Sequence, residues 1–287
     1  MTILDALTWG TEKIRSTLHE KKTSGHIPGH DAQILLAHVL GVRRSFLFAH
    51  GNDTLNETHW DTYRTFIERR TNHEPISHVL GSAEFYGRTF TVNRHVLTPR
   101  PETEELVELA LKESETQTYV DVGTGSGAIA ITLALESKKP VYATDIDPFA
   151  IGIAQHNAQQ LNVNVHFFEG NLLNPLPDTI RNTPNITYVA NLPYIPTGAR
   201  TDIDPDVLKY EPHGALFSGI DGLELSMKLL KQIPKKMPFV LLLELDTSNI
   251  HFCADLATNL FPEGDIEIKK DLSNRYRFLR LENHSSI

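Results

Sequence analysis

Apolar residues in the first 73 positions recur at the three- and four-residue spacing of amphipathic helices. One stripe consists of Ala32, Leu35, Leu36, Val39 and Leu40. Gly41 follows this stripe and is typical of a helix end. A second stripe consists of Trp60, Tyr63, Phe66 and Ile67. It is followed by Arg69 and Arg70, where cations favour the negative end of a helix dipole. Residues 1–73 are therefore predicted to form a small helical domain.

After residue 75 the pattern changes and then alternates between strand and helix. Residues 83–92 are rich in aromatic and β-branched types, which predicts a β-hairpin. Two prolines before a carboxylate-rich turn, in TPRPETEE, signal the start of a helix. Strand-like segments lie at 119–123, 141–145, 165–170, 186–190, 239–245, 265–270 and 275–281. Helical segments lie at 128–135, 148–161 and 222–233. This alternation predicts an α/β fold with a mainly parallel sheet covered on both faces, and an antiparallel hairpin at one edge.

Composition and charge narrow the class of protein. The chain has 287 residues, 40% of them apolar, and one cysteine, Cys253, which cannot form an internal disulfide. Apolar runs fall far short of the ~18 residues of a membrane span, and the first ten residues lack a signal-peptide pattern. We therefore expect a cytosolic protein with no membrane partner. The net charge of −9 disfavours binding to the phosphate backbone of a nucleic acid, so small molecules and proteins are the expected partners.

A glycine-rich loop, Asp121-Val122-Gly123-Thr124-Gly125-Ser126-Gly127, stands between a predicted strand and a predicted helix. Alternate glycines permit a tight turn and close approach of a ligand, and the helix N-terminus offers N–H groups to an anion. Asp145 ends the next strand, where an acidic side chain accepts hydrogen bonds from ribose hydroxyls. Asp147, before Pro148, is the better helix cap. The loop fits both a dinucleotide fingerprint and the loop of S-adenosylmethionine-dependent methyltransferases.

The tetrapeptide Asn191-Leu192-Pro193-Tyr194, directly after a predicted strand, favours the methyltransferase interpretation. It is similar to the N-P-P-Y motif of enzymes that methylate planar, conjugated nitrogens of adenine, cytosine or glutamine. Such a nitrogen is a poor nucleophile because its lone pair is delocalised. The enzyme must therefore bind both hydrogens of the NH₂ group and direct the lone pair at the methyl group. The Asn191 side-chain oxygen and the Leu192 carbonyl can accept those hydrogens. Pro193 holds Leu192 extended, and Tyr194 can stack on the flat target.

Over nearly its whole length the chain resembles the protein-(glutamine-N5) methyltransferases of peptide chain release factors. The resemblance rests on GSAEFYGRTFTVNRHVLTPRPETEELVE, DVGTGSG, ATDIDPFAIGIAQHN, NLPYI and YEPHGALFSGIDGLE. Residues 85–105 are the most specific part, because generic methyltransferases lack them. The resemblance implies a seven-stranded Rossmann-like methyltransferase sheet. It also implies methyl transfer from S-adenosylmethionine to the glutamine of a Gly-Gly-Gln loop in a release factor.

The resemblance also implies roles for domains and residues. Residues 1–73 would recognise the substrate, 74–98 would link through the hairpin, and 99–287 would form the methyltransferase domain. The residues implied for the cofactor are Gly123, Thr124, Gly125, Ser126, Gly127, Asp145, Asn171, Leu172 and Asn191. Those implied for the substrate are Asn191, Leu192, Pro193, Tyr194, Phe85, Arg100 and Glu104, with Asn191, Pro193 and Tyr194 as the catalytic set. An ordinary surface ion pair is the alternative for Arg100 and Glu104.

Several positions depart from the family's usual pattern. Leu192 replaces the first proline of the tetrapeptide, which keeps the carbonyl but loses rigidity. Asn171 occupies a position where the family usually has aspartate. Ile186 is the first residue of the strand before the tetrapeptide, where the family often has aspartate. Asp246 and Asn249 occupy positions where the family prefers glycine and glutamine. None of these departures removes a reacting group.

Other motifs have simpler interpretations. Pro75 interrupts the zinc-like segment from His73 to His78, so no metal site is expected. The alternating Asp202, Asp204 and Asp206 are interpreted as a solvated loop. A lysine cluster (Lys228, Lys231, Lys235 and Lys236) is interpreted as a helix face, and Cys253 as a small buried residue.

Three other functions stay open at the sequence level. One is an N6-adenine methyltransferase acting on RNA or DNA, because N-L-P-Y also occurs in ribosomal RNA adenine dimethyltransferases. The acidic charge and the PRPETEE segment count against it. The others are a nucleotide-dependent oxidoreductase and a non-catalytic S-adenosylmethionine-binding protein.

Overall fold

The computed structural model describes residues 1–18, 27–199, 203 and 205–284. Its helices are α1 (Ile3–Leu18), α2 (Pro28–Leu40), α3 (Arg44–Ala49), α4 (Glu57–Thr71), α5 (Ile76–Leu80), α6 (Pro101–Leu111), α7 (Ala128–Ser137), α8 (Pro148–Gln160), α9 (Asp178–Arg181), α10 (Pro205–Tyr210), α11 (Glu224–Gln232) and α12 (Ile250–Leu260). Its strands are β1 (Ser82–Phe85), β2 (Arg88–Thr91), β3 (Thr118–Val122), β4 (Val141–Asp145), β5 (His166–Glu169), β6 (Ile186–Ala190), β7 (Phe239–Glu244), β8 (Asp265–Lys270) and β9 (Tyr276–Asn283). Among the described residues, no helix has both the length and the apolar content needed to cross a bilayer.

The chain divides into two compact units, and the first comprises Met1–Ser82 with Asp202–Tyr210. The predicted apolar stripes form its core, in which Leu35, Leu36 and Tyr63 are fully buried. Gly41 ends α2 in the left-handed conformation, and its N–H bonds to carbonyls of the last turn, as its position after the stripe predicted. The helical character predicted for the N-terminal residues is therefore confirmed where the structure describes them.

A fully buried arginine joins three parts of this first unit. The Arg70 guanidinium bonds to the Asp31 carboxylate at 2.9 Å and to the Asp206 carboxylate at 2.8 Å. His73 Nδ1 lies 2.8 Å from the other oxygen of Asp206. Asp206 is only 6% exposed, so its interpretation as part of a solvated loop is wrong. A carboxylate can be buried here because Arg70 compensates its charge.

Replacing Arg70 by alanine should lower the free energy of unfolding of this unit by about 3–5 kcal/mol, because two buried carboxylates lose the guanidinium that compensates their charge. Both tryptophans of the chain, Trp9 and Trp60, lie in this unit, where their rings are 4.8 Å apart. Urea unfolding followed by tryptophan fluorescence therefore reports on this unit alone. The matched control is Arg64→Ala, because Arg64 is half-exposed and pairs with exposed Asp61. Equal stability of the two variants would contradict the prediction.

The second unit, Ala83–Thr201 with Glu211–Ile287, contains a seven-stranded sheet in the order β5-β4-β3-β6-β7-β9-β8. The first five strands in this order are parallel, and β9 is antiparallel to both β7 and β8. This confirms the predicted parallel sheet with an antiparallel hairpin at one edge. The chain runs from β3 outward through β4 and β5, then returns to place β6 on the other side of β3. Ligands bind beyond the carboxyl ends of parallel strands at such a reversal.

Helices cover both faces of the sheet. Alternate strand residues point to opposite faces, so Leu241 and Leu243 join a core with α11 and α12. Leu242 points the other way and joins a core with α6, α7 and α8. The central strands β3 and β6 are buried along their whole length, as expected for parallel strands with two covered faces.

The predicted hairpin is also present, as the two-stranded sheet β1–β2. Phe85 and Phe90 pack edge to face within the core on the α6 side of the large sheet. The Tyr86 backbone N–H donates to the Glu104 carboxylate at 2.8 Å, which ties the hairpin to the first turn of α6. The segment that is specific to the resemblance therefore lies directly beside the carboxyl ends of the strands.

Candidate active site

A cavity of about 230 Å³ lies at the carboxyl ends of β3, β4, β5 and β6. Twelve of the residues singled out from the sequence line it: Phe85, Arg100, Gly123, Thr124, Gly125, Ser126, Asp145, Asn171, Leu172, Asn191, Leu192 and Pro193. Gly127, Glu104 and Tyr194 are not among the lining residues. The fold thus brings residues from six separate segments of the chain to one concave site.

The glycine loop needs its glycines for two different reasons. A Cβ at Gly123 would lie 2.9 Å from the Leu192 side chain, and one at Gly127 would lie 3.0 Å from the Cβ of Ala154. Both glycines also have positive φ angles, of 76° and 81°. A Cβ at Gly125, by contrast, would meet nothing within 4 Å. The space in front of Gly125 is therefore open to a ligand, whereas the other two glycines are held in close packing.

Asp121 stabilises the glycine loop from its buried side. One oxygen of its fully buried carboxylate accepts hydrogen bonds from the Thr124 hydroxyl at 2.6 Å and from the Ala130 N–H at 3.1 Å. Burial raises the pKa of Asp121 to about 7, although these two bonds act in the opposite direction. The side chain connects the end of β3 to the loop and to the first turn of α7.

Asp145 connects the end of β4 to the same loop. One carboxylate oxygen accepts from the Gly125 N–H at 2.8 Å, and the other accepts from the Asp147 N–H at 3.0 Å. Burial raises the pKa of Asp145 above its ordinary value. Each oxygen can accept a second hydrogen bond, so the carboxylate is equipped to hold two neighbouring hydroxyl groups. Asp147 itself caps α8 by accepting from the Phe149 N–H at 2.8 Å, as predicted.

The tetrapeptide 191–194 begins directly after β6. Asn191 lines the cavity, and its Nδ2 donates to the Thr103 hydroxyl oxygen at 3.0 Å. The Asn191 Oδ1 atom therefore remains available to accept a hydrogen bond. Leu192 is buried over Gly123, and Pro193 reaches the cavity wall. Residues 191–193 thus form part of the cavity wall beside the glycine loop.

Tyr194 is anchored behind the cavity wall. Its carbonyl oxygen accepts a hydrogen bond from Asn249 Nδ2 at 3.0 Å. A Cβ at Gly222 would lie 2.2 Å from that carbonyl oxygen, so the residue there must be glycine. Burial and the nearby Glu244 carboxylate raise the pKa of Tyr194 to about 12. Although Asn249 departs from the family's glutamine, it supplies a side-chain amide at this position.

Arg100 and Glu104 do not pair with each other, so the simple ion-pair interpretation is wrong. Arg100 lines the cavity and donates to the buried Glu211 carboxylate at 2.8 Å. Burial raises the pKa of Glu211 above its ordinary value, and Arg100 limits that rise. Glu104 bonds to the backbone of the hairpin instead of facing the cavity.

Sequence reasoning missed three polar residues of this region: Thr103, Glu211 and Glu244. Thr103 and Glu211 stand inside quoted segments of the resemblance but offer no spacing signal of their own. Glu244 ends a strongly apolar strand, and a buried charge in such a place was the available signal.

In the described part of the chain, the motifs given simpler interpretations show no second site, and Asp202 and Asp204 lie outside the described residues. Cys253 is buried in the core, as predicted, and burial raises the pKa of its thiol to about 12. Lys228 pairs with Glu224 one turn earlier on α11. Lys235 and Lys236 lie in a turn after the end of α11, so the helix-face interpretation is wrong for these two lysines. Within the described part of the chain, no three His, Cys, Asp or Glu side chains form a group that could hold a metal ion.

Comparison with known proteins identifies the family. The PrmC N-terminal domain model matches residues 5–81, and the ribosomal protein L11 methyltransferase (PrmA) model matches residues 103–192. A release factor glutamine methyltransferase of Bacillus cereus is 32% identical over 98% of this chain and 99% of its own length. One from Deinococcus radiodurans is 36% identical over 98% of both chains. The chain belongs to the release factor glutamine methyltransferase family. The resemblance stated from the sequence motifs is thereby confirmed.

Family membership also decides between the alternative functions. The chain is a methyltransferase, so its interpretations as an oxidoreductase and as a non-catalytic binding protein are wrong. The human METTL16 catalytic domain, solved with an RNA hairpin, is similar in fold, with a TM-score of 0.55, 12% identity and coverage of 97% of this chain and 91% of its own. At that identity the similarity concerns the fold alone. The predicted methyltransferase sheet with a helical N-terminal domain and a hairpin is confirmed.

Proposed function

We propose that this chain transfers a methyl group from S-adenosylmethionine to the side-chain amide nitrogen of the glutamine in a release factor's Gly-Gly-Gln loop. The observation that carries the proposal is the position of Asn191. Its side chain lines the cavity next to the glycine loop, with its NH₂ group bonded to Thr103 and its oxygen left to accept. Family membership supports the same reaction, because the relatives from Bacillus cereus and Deinococcus radiodurans are release factor glutamine methyltransferases.

The residues at the glycine loop fit the proposed cofactor. The open space at Gly125 admits a ligand to the backbone, and the spare lone pairs of Asp145 suit the two ribose hydroxyls. Thr124, Ser126 and Gly127 would complete the loop around the amino acid end. Asn171 and Leu172 line the same cavity and would border the adenine. When bound, this cofactor supplies a methyl group whose bond to sulfur breaks as the bond to the target nitrogen forms.

The tetrapeptide would hold the target glutamine. Its NH₂ group would donate to Asn191 Oδ1 and to the Leu192 carbonyl. Tyr194 does not line the cavity, so its predicted stacking on the flat amide requires the ring to turn toward the cavity when the peptide binds. Pro193 restricts Leu192 to an extended backbone, which aims that carbonyl. Each neutral hydrogen bond contributes only about 0.5–1.5 kcal/mol net, whereas correct positioning of the reactants can lower the barrier by ~7–11 kcal/mol. The extra proton on the methylated nitrogen is then released to solvent.

We further propose that the helical N-terminal residues, 1–73, recognise the release factor, with 74–98 as the linker and 99–287 as the catalytic part. The match of residues 5–81 to the PrmC N-terminal domain supports this division of roles. Phe85 and Arg100 line the cavity on the side of the hairpin and of α6, where a peptide would enter. Glu104 would act through the hairpin backbone that it holds.

The test is a competition between substrates. Purified protein with methyl-labelled cofactor is offered a release factor and ribosomal RNA side by side, and mass spectrometry locates the label on the Gly-Gly-Gln peptide. We expect label on the glutamine amide and none on a release factor whose glutamine is replaced by alanine. Label on RNA adenine with an unlabelled release factor would overturn the proposal in favour of a nucleic-acid methyltransferase.

A further inference from the structure

The last residue of the tetrapeptide 191–194 is held through its backbone. Asn249 Nδ2 donates to the Tyr194 carbonyl oxygen at 3.0 Å. On the other side, a Cβ at Gly222 would lie 2.2 Å from the same oxygen and 2.9 Å from the Tyr194 carbonyl carbon, so the Gly222 backbone packs directly against this peptide group. The Tyr194 carbonyl therefore has both a hydrogen-bond donor and a close backbone neighbour that limits its position.

The residues that follow the tetrapeptide are held as well. The Ile195 N–H donates to the Leu216 carbonyl at 3.0 Å, and the Ile195 carbonyl accepts from the Ser218 N–H at 3.0 Å. The Thr197 N–H donates to the Gly219 carbonyl at 2.9 Å. At its other end the tetrapeptide continues β6, which is paired with β3 and β7. The backbone of the tetrapeptide is therefore anchored on both sides.

Asn249 stands at a position where asparagine usually has another use. It is the residue before α12, and an asparagine there ordinarily accepts a hydrogen bond from an N–H of the first helical turn. In α12, all of which the structure describes, the Asn249 side chain makes no such capping bond. Asn249 is only 5% exposed, and its NH₂ group is directed to Tyr194 instead. The side chain thus serves the tetrapeptide and not the helix.

This anchor bears on the acceptors for the substrate. In the proposed function, Asn191 Oδ1 and the Leu192 carbonyl hold the target NH₂ group. Pro193, between Leu192 and Tyr194, has a fixed φ angle, so few free backbone torsions separate the two carbonyls. A displacement of the Tyr194 carbonyl is therefore passed on to the Leu192 carbonyl. A misplacement of about 1 Å at a reacting centre can cost about 100-fold in rate.

We propose that Asn249 is a positioning residue that, together with Gly222, fixes the backbone of the tetrapeptide so that the Leu192 carbonyl is directed at the target amide. This inference rests on the proposed function, because that function makes the Leu192 carbonyl an acceptor for the target NH₂ group. Asn249 and Gly222 are not among the residues that line the cavity, and both act through Tyr194. The Tyr194 ring can turn about its side-chain bonds while its backbone stays in place.

The first test replaces Asn249 by aspartate, which has the same shape but, when ionised, no proton to donate. Aspartate caps a helix as well as asparagine does, and its charge suits the N-terminus of α12. A capping role therefore predicts a normal kcat, whereas the positioning role predicts that kcat on the release factor falls roughly 10- to 100-fold. Asn249→Gln keeps the amide donor and should recover most of kcat. Asn259→Asp, at an exposed asparagine of α12, is the matched control.

The second test displaces the same carbonyl by steric contact. The Cβ added in Gly222→Ala would meet the Tyr194 carbonyl oxygen at 2.2 Å, so kcat should again fall roughly 10- to 100-fold. Gly81→Ala is the matched control, because Gly81 has a similar φ of 71°, against 78° for Gly222, but a Cβ there would meet nothing within 4 Å. The Kd for S-adenosylhomocysteine should stay within about twofold in both variants, because the glycine loop and Asp145 are unchanged. A loss of cofactor affinity as large as the loss of kcat would overturn the inference.

Amide hydrogen exchange separates this inference from the proposed function. The N–H groups of Ile195 and Thr197 exchange when the backbone of this segment opens, so residues 190–199 should exchange roughly 10-fold faster in Asn249→Asp and Gly222→Ala than in the wild type. The two control variants should exchange as the wild type does. That result without any methylation of the release factor by the wild type would refute the proposed function and leave the positioning role standing. A normal kcat or wild-type exchange in either Asn249→Asp or Gly222→Ala would overturn the inference.

Discussion

Alanine at position 191 is expected to reduce kcat for methylation of the release factor by about 10²–10³-fold, the usual effect of removing one preorganised hydrogen-bonding group at a reacting centre. Asn191 lines the cavity, and its Nδ2 donates to the Thr103 hydroxyl oxygen, which leaves Oδ1 to accept from the target amide. Without it, one N–H of the target glutamine is unheld, and the nitrogen lone pair is no longer aimed at the methyl group. The loss should appear in kcat, because the interaction is needed to reach the transition state.

Cofactor binding separates this effect from a general loss of structure. The Kd for S-adenosylhomocysteine, measured by calorimetry, should change little in Asn191→Ala, because Asp145 and the glycine loop remain. Asn164→Ala is the matched control, since Asn164 is an exposed residue before β5. Normal turnover in Asn191→Ala would show that another group holds the substrate amide. A large loss of cofactor affinity would show that Asn191 acts mainly on the cofactor.

The second large effect is expected on cofactor affinity when Asp145 is replaced by alanine. Its carboxylate accepts from the Gly125 and Asp147 N–H groups and, in the proposed function, from both ribose hydroxyls. Hydrogen bonds to a charged group contribute about 1.5–3 kcal/mol each, so the Kd for S-adenosylmethionine should rise roughly 10- to 150-fold for each bond lost. At saturating cofactor much of kcat should return, because Asp145 does not contact the target amide.

Isothermal calorimetry on two further variants sharpens this prediction. Asp145→Asn keeps an acceptor oxygen but loses the charge and half of the acceptor sites, so its affinity should lie between those of the wild type and Asp145→Ala. Asp255→Ala is the matched control, because Asp255 is exposed on α12. Unchanged affinity in Asp145→Ala would contradict the ribose role and leave Asp145 with its loop contacts alone.

Local patterns predicted much of this structure because they depend on neighbours in the chain. The period of apolar residues identified every strand of the large sheet and the covering helices α7, α8 and α11, since a face that must be buried repeats with the geometry of its element. The covering helix α12 was not predicted. Asp147 was predicted as the cap of α8 for the same reason, because capping involves residues two positions away. The glycine loop and the 191–194 tetrapeptide were recognisable as short motifs between elements of known type.

Long-range pairs were not predictable in this way. Asp206 was expected in solvent, but the structure buries it on Arg70, which is 136 positions away. Arg100 was considered with Glu104 four positions later, yet its partner is Glu211, 111 positions away. In each case the choice of partner depends on which elements pack together, and a charge pattern read along the chain carries no information about that.

The sequence by itself determined the sheet, the helical N-terminal domain, the family and twelve of the residues that line the cavity. Only the tertiary structure decided which polar side chains support them. Thr103 and Asn191 are 88 positions apart and come together because α6 packs over the ends of β6 and β7. Asn249 reaches the Tyr194 carbonyl across 55 positions for a similar reason. A buried polar group must find its hydrogen-bond partner in space, so the support of this site became visible only once the strand order was known.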